Sequence, residues 1–242
     1  MQIQHLTLDS LFDALADGWR VANDTRGVSI AYTTVFVLGG ALIIGSLLTR
    51  GWTPFVIAAA GAFMLVGPAI LAGYFGIAAA LESGRRPGLG DVAAGFARAS
   101  RAIWALALVC GLLFMIFVTD AAILYAYMIG DVPVWLSELI PAADGVSRFV
   151  LWSSVSGAVV AFLLFAVSAF SVPLLCERRA GLVEAVVASV RTVFGNFLVT
   201  MIWGVLLSAT VIASILLLPL LLLTLPWLAY ASRALYRSAM PV

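Results

Sequence analysis

One acid stands well inside an apolar stretch of this chain. Asp120 interrupts LVCGLLFMIFVTDAAILYAY, with no other charge on either side. A carboxylate in hydrocarbon costs at least about 2.5–3.5 kcal/mol, so it either serves an ion or proton path or is satisfied by polar neighbours. If the stretches 103–129 and 149–176 oppose each other as a hairpin, Arg148, Ser153, Ser154 and Ser156 fall at a similar depth. Those side chains could satisfy Asp120 and staple the hairpin. One isolated carboxylate makes a poor relay, so the structural tie is preferred to the transport site.

The remaining chemistry-bearing residues are sparse. His5 is the single histidine, which excludes a bis-histidine haem and a His-built copper or zinc site. Cys110 lies in an apolar run and Cys176 beside Glu177, a spacing that suggests neither a metal site nor a disulfide. No G-x-x-x-x-G-K-[ST], H-E-x-x-H or G-x-S-x-G occurs. The chain is therefore expected to be no enzyme and to hold no cofactor.

One phrase is written twice. RRPGLGD, from Arg85, returns as RRAGLVE, from Arg178, and the match extends through DVAAGFAR (Asp91–Arg98) and EAVVASVR (Glu184–Arg191). DALADGWR (Asp13–Arg20) shares the acid and the arginine seven residues on. The plain reading is punctuation: arginines stop a span at the inner interface, Gly88 and Gly181 take the φ > 0 position that ends a helix, and Asp91 and Glu184 favour the first turn of the next one. The sharper reading is a charge collar, in which Asp13, Asp91 and Glu184 pair with Arg20, Arg98 and Arg191 of neighbouring units.

These residues must be carried by membrane helices. The chain is 64% apolar and 10% charged, with a mean hydropathy of +1.14; soluble domains are about 25% charged. Apolar runs long enough for a bilayer, about 20 residues, predict spans near 28–49, 54–81, 103–129 and 149–176. The last block, 197–230, would be about 51 Å long as one helix. Pro219 therefore predicts two helices joined by a tight turn near 216–219. Pro68, Pro173 and Pro226 are expected to kink their helices, and Ala72, Gly76 and Ala80 form a small-residue stripe suited to close packing. The net charge of +1 implies no nucleic-acid partner.

Arginines orient the spans. Arg20, Arg26, Arg85, Arg86, Arg98, Arg101, Arg178, Arg179, Arg191, Arg233 and Arg237 fall on one side, against Arg50 and Arg148 on the other. Both termini are thus expected in the cytoplasm. The polar opening MQIQHLTLDS does not read as a cleavable signal. The outer loop 130–147 contains VWLSELI, which suits a short surface helix. Near the N-terminus, Leu8, Leu11, Phe12, Leu15, Trp19 and Ala22 share a helical face opposite Asp9, Asp13 and Asp17, as in a helix lying on the membrane. The expected fold is one all-α membrane domain, 1–242. Its six spans form three hairpins, each preceded by a cytoplasmic amphipathic helix. The units, about 8–82, 88–177 and 181–237, are parallel pseudo-threefold repeats.

GWRVANDTRGVSIAY, LVGPAILAGYFGIAAALESGRRP and LPWLAYASRALYR resemble a bacterial integral-membrane family classed as a domain of unknown function. Members are sometimes loosely labelled as related to cytochrome c oxidase subunit I. A haem-copper site needs several histidines and does not transfer to this chain. Members often carry histidines in the C-terminal segment, where Tyr230 and Ala234 stand here. The expectation is a non-catalytic accessory, assembly or scaffold protein of the bacterial inner membrane. Its partners would be lipid and either a membrane complex, a respiratory one being the case the label suggests, or further copies of itself. The alternative is a small-solute or ion transporter centred on Asp120.

Overall fold

The computed structural model describes residues 3–52, 55–128 and 144–241; within these, the side chains of 55, 57–69, 144–147, 150, 215 and 216 are outside the described set. The predicted outer helix VWLSELI, and the side chain of Pro68, therefore lie outside the described residues. What is described is helical, without a β-strand: α1 (Leu8–Asp24), α2 (Arg26–Thr49), α3 (Phe55–Glu82), α4 (Leu89–Arg98), α5 (Ala102–Met128), α6 (Asp144–Ser168), α7 (Ser171–Cys176), α8 (Leu182–Gly195), α9 (Phe197–Leu216) and α10 (Leu221–Ala239).

Among the described residues five segments are long and apolar enough to cross a bilayer: Arg26–Thr49, Ala102–Met128, Leu151–Cys176, Phe197–Ser214 and Leu218–Ala239. In α3 the described apolar part is Ile70–Glu82. The final block does divide as Pro219 requires. A 3-10 turn, Leu218–Leu220, separates α9 from α10, and Ser214 meets Thr224 across it at 2.8 Å. Helix α10 runs through Pro226, which has no N–H to give the Leu222 carbonyl. At Pro173 the span is interrupted for two residues. The proline cannot donate to the Ala169 carbonyl, and α6 stops at Ser168 before α7 resumes at Ser171. Ser189 of α8 fills in there: its hydroxyl accepts the Phe170 N–H at 3.1 Å and donates to the Ala166 carbonyl at 2.8 Å.

The short helices fasten the long ones. Helix α1 lies on α10, and its surface divides into three sectors. Leu11, Ala14 and Gly18 are buried against the bundle. Leu8, Phe12 and Trp19, on an adjoining sector, are exposed, and the acids occupy the third. The single apolar face expected from sequence is thus two sectors, one packed on the bundle and one exposed. Gly18 is required: a Cβ there would sit 2.5 Å from the Ala231 nitrogen. The small-residue stripe packs closely too, but on α4. A Cβ on Gly76 would lie 2.1 Å from the Asp91 carbonyl oxygen, and one on Gly95 would lie 2.2 Å from that of Ala72.

The glycine reading of the repeated phrase needs correction. Gly88 and Gly181 have φ of −134° and −74° and are N-caps, not helix-ending residues. Each gives its N–H to the acid three residues on, Asp91 at 2.9 Å and Glu184 at 3.3 Å. The positive-φ residues that end the preceding helices are Gly84 and Arg178. The bonds are those of a Schellman close: Arg85 N–H to Ala80 O and Gly84 N–H to Leu81 O, matched by Arg179 N–H to Leu174 O and Arg178 N–H to Leu175 O. The link is one residue shorter the second time. By position in the turn, Arg85 corresponds to Arg179, not to Arg178, and the ungapped alignment conceals this.

Candidate functional site

The ends of α3, α7 and α10 meet in a cluster of four charges. Glu82 is the last residue of α3 and Glu177 caps α7. An acid at a helix C-terminus is opposed by the helix dipole, by about 0.3–1 kcal/mol when exposed, so both call for a cation. Helix α10 supplies two, one turn apart. Arg233 grips Glu82 with both terminal nitrogens, at 2.7 and 3.1 Å, and its Nε lies 3.5 Å from Glu177. Arg237 repeats the fork on Glu82 at 2.7 and 3.3 Å and reaches Glu177 at 3.2 Å. Arg233 is the buried member, with a side chain 9% exposed, while Glu82 is 48% exposed. Its guanidinium lies over the Phe75 ring, 5.8 Å from the centroid. Nearby, Arg179 donates to the Tyr236 hydroxyl and the Met240 carbonyl, both at 2.8 Å.

One turn deeper on α10 begins a buried hydroxyl network. Tyr230 Oη lies 2.7 Å from Ser29 Oγ and 3.2 Å from Thr25 Oγ1. Thr33 donates to the Ser29 carbonyl at 2.6 Å and meets Tyr74 Oη at 2.7 Å. Tyr32 donates to the Ile70 carbonyl at 3.2 Å. The Tyr74 ring stands edge-on to both Tyr230 and Tyr32. A buried hydroxyl without a partner is costly; these six all have one, so the network joins α2, α3 and α10 rather than offering a vacant polar surface.

The residues singled out from sequence are dispersed. Asp120 accepts from Ser156 Oγ at 2.5 Å, linking α5 to α6. Arg148 is exposed eight residues before Ser156, about 12 Å along the helix. Ser154 is also exposed, and Ser153 Oγ is buried with no hydrogen-bond partner among the described residues. The proposed collar residues pair locally. Arg20 bonds Asp17 on its own helix, and Arg85 reaches Asp91 at 3.1 Å. The Gly88 N–H, and then Arg85, hold the Asp91 carboxyl below the usual carboxylate range. Among the described residues no ion pair joins Asp13, Arg98, Glu184 or Arg191 to another unit.

Sequence reasoning missed the four-charge cluster and the hydroxyl network. ALESGRR and LLCERR each place an acid at a helix end just before arginines, an electrostatic anomaly that could have signalled Glu82 and Glu177. What joins them to Arg233 and Arg237 is visible only in three dimensions. The three stretches on which the family resemblance rests converge here: the first brings Ser29 and Tyr32, the second Tyr74 and Glu82, the third Tyr230, Arg233 and Arg237.

A helical bundle with several membrane-length helices and a closed polar core is an integral membrane protein. The family DUF2189, described as a predicted integral membrane protein, matches residues 55–177, just over half of the chain. The chain belongs to this family. No curated protein and no solved structure matches it.

Proposed function

We propose that this protein is a non-catalytic accessory or scaffold protein of the bacterial cytoplasmic membrane. The observation that carries this reading is the use made of its polar side chains. Glu82, Glu177, Arg233 and Arg237 are spent on one another, and the buried hydroxyls on neighbouring helices. The finer architecture belongs to the same proposal: six spans in three parallel hairpin repeats, with both termini cytoplasmic. It is supported by the threefold recurrence of a short helix followed by two long helical segments and by the bias of eleven arginines to one side. Purification from the native host in mild detergent, followed by mass spectrometry, tests the role. A stoichiometric membrane partner is expected; a homo-oligomer without partners that conducts a solute when reconstituted overturns it.

One observation favours transport as a second reading. Asp120 is held between α5 and α6 by Ser156, and one turn earlier on α6 the Ser153 Oγ is buried with no partner among the described residues. Asp120→Asn that folds normally yet abolishes a flux in proteoliposomes would establish that reading.

A further inference from the structure

We propose that the groove between the α1–α2 corner and α10 binds one phospholipid, its phosphate on Arg26 and an acyl chain along the wall below. Trp19, Asn23 and Arg26 line its polar end, and Ile30, Leu222 and Pro226 its apolar end. Successive turns of helix set this order, because α1 and α2 are joined through Thr25 alone.

The occupant follows from charge and position. Arg26 is exposed and makes no ion pair among the described residues, whereas Arg233 and Arg237 of α10 are committed to carboxylates. A guanidinium matches a phosphate in geometry as well as charge. Trp19, half-exposed, is held edge-on to Trp227, whose indole N–H donates to the Leu15 carbonyl. Tryptophan so placed belongs at the level of lipid headgroups. Trp19 also continues the exposed stripe of Leu8 and Phe12, so the groove opens on the side of α1 turned from its acids. A free anion would satisfy Arg26 but leave the trough of Ile30, Leu222 and exposed Leu223 unused. An amphiphile uses both. The inference rests on membrane insertion and is independent of the scaffold reading.

The test is native mass spectrometry of the purified chain after extensive detergent delipidation, with added phosphatidylglycerol or phosphatidylethanolamine as probe. One retained lipid per chain is expected. Arg26→Gln should lower its retention about tenfold, and Ile30→Trp, which fills the trough, should do the same. Arg50→Gln, at the far end of α2, should change nothing. Unfolding midpoints of all three variants establish that they fold. Retention by Arg26→Gln equal to that by Arg50→Gln would mean ordinary boundary lipid and overturn the site. Displacement of the lipid by excess inorganic phosphate would mean a plain anion site and overturn it too.

Discussion

Replacing Arg233 by methionine, which keeps length and removes charge, tests the central claim that α10 is locked to α3 and α7 by the four-charge cluster. Arg233 is nearly buried and makes the closest fork on Glu82. A hydrogen bond to a charged group contributes about 1.5–3 kcal/mol, and breaking a fully buried pair costs about 3–5 kcal/mol. Glu82 is half-exposed and keeps Arg237, so solvent and the second guanidinium recover part of the loss. The expected cost is about 2–3 kcal/mol, or roughly 5–10 °C in unfolding midpoint for a chain of this size. Arg237→Met, at the rim, should cost only about 1 kcal/mol. Glu82→Gln leaves Arg233 with its 3.5 Å contact to Glu177 and should cost about 2 kcal/mol. Combined with Arg233→Met, it should cost less than the sum by about 1–2 kcal/mol. The assay is thermal unfolding in dodecyl maltoside, read with a thiol-reactive dye on the native cysteines; Cys176, adjacent to Glu177, reports opening of the cluster itself. If Arg237→Met is as damaging as Arg233→Met, or if the double mutant is additive, the cluster does not lock α10 to α3 and α7.

Four further outcomes follow, the first three checked by the same measurement and the last by acid unfolding followed by tryptophan fluorescence. Gly76→Ala should destabilise by about 1–3 kcal/mol, the range for overpacking, because α3 and α4 must separate; Gly45→Ala, which meets nothing within 4 Å, should be neutral or stabilising. Tyr230→Phe should cost about 1 kcal/mol, since Ser29 and Thr25 still bond each other at 2.9 Å. Asp120→Asn should leave stability nearly unchanged because it can still accept from Ser156, whereas Asp120→Leu should strand that hydroxyl and destabilise. Asp91 has a depressed folded pKa. Its contribution is therefore complete above the ordinary aspartate value, about 3.9, and is lost as pH falls through the folded value. Asp91→Asn should flatten that part of the acid-unfolding curve.

The sequence by itself determined the class of the molecule and most of its helix boundaries, because a hydrocarbon solvent allows only a continuous apolar run of set length to form a spanning helix. Pro219 placed the turn near the C-terminus, and the acids of the repeated phrase marked helix starts, since both effects are local in the chain. Gly88 and Gly181 misled because a glycine suits an N-cap as well as a helix end, and only the backbone distinguishes them. Tertiary structure alone decided which charges meet. Glu82 and Arg233 are 151 residues apart, and Ser29 and Tyr230 are 201 apart. Their pairing depends on α10 packing against both α2 and α3 at a register set by close contacts such as Gly18 on Ala231. Asp120, conspicuous in the sequence as the lone acid within a span, meets Ser156 among the described residues, while Arg233 and Arg237, which read as orientation signals, came together with Glu82 and Glu177 as the charged lock of the bundle.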